Sequence, residues 1–167
     1  MNRYGSYDSL KKLLTKMKTK IPNLSLRTTF MVGFPGETEE QFEELCRFVK
    51  DIEFDKMGCF TYSPEEDTPA FDFDNQIDED IKKRRAEVLM DIQYSITENA
   101  NKKRIGNIYK VVVDEKDGDK YIGRSYLDSP EIDSGIIITS ERALSSGEFI
   151  NVKITDYDGY DLIGVEI

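Results

Sequence analysis

A chain of 167 residues, 38% of them hydrophobic and 34% charged, has the size of one or two globular domains and enough apolar side chains to bury a core. Its net charge of -10 argues against a broad electrostatic grip on nucleic-acid phosphates and favours a basic partner. No apolar run reaches the roughly 18 residues of a membrane-spanning helix, and Lys11 to Lys20 is not followed by a signal-peptide core, so a cytoplasmic location without membrane contact is expected.

From the N-terminus, Leu10, Leu13, Leu14 and Met17 recur at helical spacing between Asp8 and Lys18, and Pro22 with Asn23 ends that amphipathic helix. Leu24 to Val32 is apolar and β-branched and runs into Gly33-Phe34-Pro35-Gly36, the pattern of a buried strand closing on a turn. Thr38 followed three residues later by Gln41 predicts a capping box, with Phe42, Leu45, Cys46 and Val49 as the apolar stripe behind it. Lys56 to Tyr62 reads as a second strand. After a loop reaching to about Asn75, a long helix is predicted from Asp78 to Arg104, burying Ile81, Val88, Leu89, Ile92 and Ile96, with Gly106 as its stop. Helices alternating with strands imply parallel strands with helices packed outside, in an open sheet or part of a barrel.

After Gly106 the pattern changes. Ile108 to Val113, Tyr121 to Tyr126, Ile136 to Thr139, Phe149 to Thr155 and Tyr160 to Ile167 are short β-like runs, with hairpin turns at Asp117-Gly118 and Asp158-Gly159. Five antiparallel strands in so short a length suit a small closed barrel of the OB kind, which leaves no exposed edge. The expected division is therefore residues 1–104 and 105–167. Cys46 and Cys59 are the only cysteines and there is no histidine, so neither a closed zinc site, an iron-sulfur cluster nor a Ser-His or Cys-His pair can be assembled from Cys and His here. Both cysteines read as core residues.

Three segments carry a resemblance. Arg27-Thr28-Thr29-Phe30-Met31-Val32-Gly33-Phe34-Pro35-Gly36-Glu37-Thr38 resembles a late strand and loop of the radical-S-adenosylmethionine (SAM) barrel of methylthiotransferases, and Phe60 to Pro69 resembles their next strand and loop. The final barrel is similar to the family's TRAM domain, and Ile122 to Asp133 is similar to the corresponding segment of the RimO-like, ribosomal-protein-modifying branch. The resemblance implies the distal part of a radical-SAM (β/α) barrel followed by a five-stranded antiparallel OB-like TRAM barrel.

It also implies a chemistry. In that family one 4Fe-4S cluster reduces SAM to a radical that removes hydrogen from an unactivated carbon, and sulfur carried at a second 4Fe-4S cluster is inserted and methylated. The CxxxCxxC triplet and the N-terminal cluster domain have no counterpart in this sequence. Met1 then reads as an internal methionine of a longer protein, and this chain alone is expected to be inactive and to retain no cofactor. Candidate SAM contacts are Arg27 for the carboxylate of its methionine part, Thr29, Gly33 and Gly36 for close backbone approach, and Glu37 for a ribose hydroxyl. The same Gly33 to Thr38 stretch also reads as a tight strand-to-helix turn with a good cap.

By resemblance the substrate is the small-subunit ribosomal protein numbered twelve, modified at the β-carbon of an aspartate, with Tyr126, Asp128, Glu131 and Asp133 as contacts. Thirteen acids against six bases from Asn107 onward suit a basic protein better than tRNA. A tRNA methylthiotransferase of the same superfamily and a stand-alone, non-catalytic binding module for a basic protein are the alternatives. Sheet edge and apolar surface left by a half-barrel would favour self-association.

Overall fold

The computed structural model describes residues 5–130, 132–133 and 135–167. It divides into two compact units, Met1–Ile96 and Thr97–Ile167.

The first unit is ordered α1 (Tyr7–Lys20), β1 (Arg27–Val32), α2 (Glu39–Ile52), β2 (Lys56–Thr61) and the larger part of α3 (Glu79–Arg104). The two strands pair in parallel, Arg27 opposite Lys56 through Val32 opposite Thr61. Parallel neighbours need a crossover, and α2 supplies it. Thr38 caps α2 as its spacing predicts: its hydroxyl accepts from the Gln41 amide at 3.3 Å and the Gln41 side chain accepts from the Thr38 amide at 3.0 Å. Thr38→Ala removes one partner of this box and is expected to lower the stability of the unit by about 1 kcal/mol, read as a shift in its denaturation midpoint.

Strand β1 begins at Arg27 rather than Leu24, because Leu26 makes its hydrogen bonds elsewhere. Its amide donates to the Asp55 carboxylate at 2.9 Å, and its carbonyl accepts from the Asp55 and Lys56 amides. Leu26 still joins a buried cluster with Phe48, Ile52 and Phe54, and α1 lays Tyr7, Leu14 and Met17 against it. The Lys18 ammonium completes the end of α2 by donating to the carbonyls of Ile52 at 2.6 Å and Glu53 at 2.7 Å. A second cluster, Val32, Phe42, Val49 and Leu89, sits between the strands and helices, with Cys46 and Cys59 packed against it as expected of core residues.

Helix α3 departs from its predicted stripe. Ile81 and Val88 are exposed, and the buried line runs through Lys82, Arg85, Leu89 and Gln93, spaced by three, four and four residues. Each polar side chain of that line donates to a main-chain carbonyl where another element stops. Lys82 donates to Tyr62 at 3.1 Å, Arg85 to Glu37 at 3.2 Å and Gln93 to Phe54 at 2.8 Å.

The second unit holds the last turns of α3 and a closed barrel of β3 (Ile108–Asp117), β4 (Lys120–Arg124), β5 (Ile136–Thr139), β6 (Phe149–Asp158) and β7 (Asp161–Glu166), joined in the ring order β3-β4-β5-β7-β6. Five strands and a closed ring were expected, and both are present. The expected all-antiparallel pairing is not: β5 and β7 run parallel, Ile136 opposite Leu162 through Thr139 opposite Val165. The reason is parity, since direction cannot alternate around a ring with an odd number of members. Val111, Val113, Tyr121, Ile136, Ile138, Ile150, Val152, Ile154 and Leu162 fill the interior. Gly123 and Gly164 also face inward, opposite Val113 and Ile154, where side chains and backbone carbonyls of neighbouring strands take the space a Cβ would need.

Candidate functional site

The first candidate region lies on the β1–β2 pair. Phe30, Met57 and Cys59 point to the helices and the core, and alternation puts Arg27, Thr29 and Met31 on the opposite face. Register then sets three cross-strand rows there: Arg27 beside Lys56, Thr29 beside Gly58, and Met31 beside Phe60. This face is open, with Met31 41% and Phe60 66% exposed. The structure thus brings Arg27 and Thr29 onto one surface, together with three residues of β2 that local sequence did not single out.

The turn that follows β1 is built from its own parts. The Gly33 amide donates to one Glu37 carboxylate oxygen at 3.1 Å, the Glu37 amide to the Phe34 carbonyl at 2.9 Å and the Gly36 amide to the Asn75 carbonyl at 2.9 Å. The second Glu37 oxygen accepts from Arg85 at 2.8 Å, and Arg85 also reaches Glu39 at 3.0 Å. Gly33 and Gly36 have φ of +75° and +82°, and a Cβ at either would lie 2.3 Å from Lys82 Cγ or Asn75 Nδ2. The glycines therefore admit Lys82 and Asn75 of this chain, and the turn-and-cap reading of Gly33 to Thr38 accounts for the contacts seen.

Lys82, Arg85 and Asn75 were missed by sequence reasoning. A lysine and an arginine three apart on a helix look like a solvated face, and only the 3.6-residue phase shared with Leu89 hints otherwise. Burial pushes the thiol of Cys46 up, and that of Cys59 up to about 11. Among the described residues no group of three His, Cys, Asp or Glu side chains could hold a metal ion, so the donor set does not fit an iron-sulfur cluster.

The second candidate region is the segment after β4. Asp128 accepts from the Ser125 amide and hydroxyl, both at 3.0 Å, and Asp133 accepts from the Ser129 amide at 2.7 Å. These carboxylates fold the segment back on itself while keeping their charge at the surface. The Arg124 Nε–H is shared between the two carboxylate oxygens of Asp114, at 2.9 and 3.1 Å. Asp114, Glu115, Arg124, Asp128, Ser129 and Asp133 line a cleft of about 450 Å³. Tyr126 is 57% exposed, its ring 6.2 Å from that of Tyr109. Glu131 lies outside the described residues.

Residues 105–167 match the TRAM domain family. Over 165 residues the chain is 46% identical to the "Ribosomal protein uS12 methylthiotransferase RimO" of Clostridium novyi, covering 99% of this chain and 37% of that protein. The protein of the same name from Parabacteroides distasonis is 45% identical over 91% of this chain and 35% of its own length. That from Carboxydothermus hydrogenoformans is 46% identical over 98% and 38%. The solved apo form of Mycoplasma genitalium RNase R overlaps 55% of this chain and 20% of its own at 14% identity, with a TM-score of 0.29, too low to place either unit. No helix among the described residues is long and apolar enough to cross a membrane. The chain spans little more than a third of the relatives it matches, and it belongs among the RimO-like sequences along nearly its whole length, ending in a TRAM domain.

Proposed function

We propose that this chain is part of a radical-SAM methylthiotransferase acting on an aspartate of ribosomal protein uS12, and that its acidic barrel recognises the basic substrate protein. The observation that carries the reading is the cleft beside β4, lined by Asp114, Glu115, Asp128 and Asp133 on a domain with thirteen acids and six bases. Such a surface attracts a basic protein and repels the phosphates of tRNA. Tyr126, exposed beside the cleft, offers a rigid aromatic contact. Asp128 and Asp133 act through the field of their carboxylates and by shaping the segment that carries them.

In the whole enzyme SAM would supply the hydrogen-abstracting and methylating chemistry, and the iron-sulfur clusters would be held by cysteines outside this chain. The share of this chain is the open β1–β2 face: Arg27 offers a bidentate partner for a carboxylate, and Thr29 a hydroxyl two residues along. Gly33, Gly36 and Glu37 keep the end of β1 rigid beside that face. Exposed Met31 and Phe60 also give a second copy of the chain an apolar surface to pair on.

Calorimetric titration of the chain with purified uS12 and with bulk tRNA, each at two salt concentrations, tests the reading. Binding to uS12 that weakens as salt rises, with none to tRNA, is the expected result. Preference for tRNA would overturn it and move the chain to the tRNA-modifying branch.

A further inference from the structure

Helix α3 carries apolar residues on two adjoining lines, and the first unit buries one of them. The buried line runs through Lys82, Leu89 and Gln93; Ile81, Val88 and Ile92 each stand one position earlier, about 100° around the helix. Ile81 and Val88 are 46% and 38% exposed. Helix α2 lies alongside in the same direction: Arg85 reaches Glu39 at its start, and Gln93 reaches the Phe54 carbonyl just past its end. Phe42 and Cys46 of α2 meet Ile81, Val88 and Ile92 across a groove of about 400 Å³. From Ile81 to Ile92 its floor runs for about 16 Å, or about three helical turns.

The walls of the groove select a charge. Glu39 is held by Arg85 at 3.0 Å and Glu43 lies 3.8 Å from Arg47, whereas no carboxylate among the described residues pairs with Lys50 on the α2 wall or with Arg84 on the α3 wall. Each wall therefore offers a cation above an apolar floor. Every lining residue belongs to a helix, so an occupant meets no sheet edge and has to satisfy its own amides and carbonyls, as a helix does. Helix α1 of a second copy exposes Leu10 and Leu13, but its five lysines repeat the charge of the walls.

We propose that the groove between α2 and α3 is a docking site for an acidic amphipathic helix of a partner protein, its apolar stripe on Phe42, Cys46 and Val88 and its carboxylates at Lys50 and Arg84. The groove lies on the helical side of the strands, away from the open β1–β2 face. It goes beyond the uS12 reading, which rests on the barrel cleft, and either can fail alone.

Cys46 reports on the groove because its half-buried thiol lines it, and Cys59, which does not, is the reference. The test follows alkylation of both thiols of the whole chain by mass spectrometry, with a synthetic amphipathic helix of about four turns bearing leucines on one face and glutamates on the other, or with its lysine-for-glutamate counterpart. Expected is at least tenfold slower alkylation of Cys46 with the glutamate peptide, no change at Cys59, and no protection by the lysine peptide. In the double variant Lys50→Glu, Arg84→Glu the preference reverses, which also shows that the groove itself is intact. Equal protection by the two peptides overturns the inference, as do protection by neither and an unchanged preference in the double variant. Alkylation of Cys46 that is slow without peptide and quickens on dilution also overturns it, and assigns the groove to a second copy.

Discussion

Replacing Gly164 with alanine is expected to destabilise the barrel by about 3 kcal/mol, enough to populate its unfolded state at temperatures where the native barrel is intact. The added Cβ would lie 2.5 Å from Val152 Cγ1 and 2.7 Å from the Lys153 carbonyl oxygen. The valine can rotate, but the carbonyl belongs to the neighbouring strand and cannot move without breaking the ladder. Gly147→Ala is the control: it has a φ of +83° and nothing within 4 Å of its would-be Cβ, so it carries only the conformational penalty of about 1 kcal/mol. Denaturant unfolding followed by near-ultraviolet tyrosine dichroism, with Tyr121 buried in the barrel, separates the two. Equal losses would show that the interior has slack and that backbone conformation dominates.

Arg85→Ala is expected to cost the first unit about 3 kcal/mol or more. The Arg85 and Glu37 side chains are only 8% and 14% exposed, and removing the guanidinium leaves a carboxylate with little water to compensate it. The Gly33 amide, held by that same carboxylate, should then exchange its hydrogen faster, whereas the Tyr62 amide, bonded to the Val32 carbonyl, should not. Arg142 gives the contrast. It pairs with Glu148 and Glu166 at 2.6 Å, yet its side chain is 52% exposed, and Arg142→Ala should leave the denaturation midpoint nearly unchanged. Chemical denaturation of both variants, with amide exchange at Gly33, checks the pair; a small effect for Arg85→Ala would mean that water replaces the guanidinium.

What sequence made legible here was local. The Thr38–Gln41 box and the alternation of Ile150, Val152 and Ile154 are set by spacings of two to four residues, and the structure has them where the spacing puts them. What it hid depends on residues far apart in the chain. Lys82 and Asn75 fill the space over Gly33 and Gly36 from more than thirty positions away, and nothing local distinguishes those glycines from a cofactor cradle. The buried polar line of α3 was not legible because the carbonyls to which Lys82, Arg85 and Gln93 donate all belong to other elements. The parallel seam between β5 and β7 follows from strand count and closure together, neither of which any single strand carries. At the candidate sites, Arg27 and Thr29 could be named from their strand, but Lys56, Gly58 and Phe60 join them only through the register of β1 with β2.

The ring order has a consequence for how this barrel can be moved between proteins. Lys153 pairs with Ile108, the first residue of β3, on one side and with Val165, next to the end of β7, on the other. The points of entry and exit therefore flank a single strand at the same height, about 10 Å apart. A module whose ends meet in this way can be spliced into a surface loop of a host as readily as appended to its terminus, and its own ends can be joined and the chain reopened at the Gly118 or Gly159 turn. Its portability is a property of the ring, independent of what any host does with it.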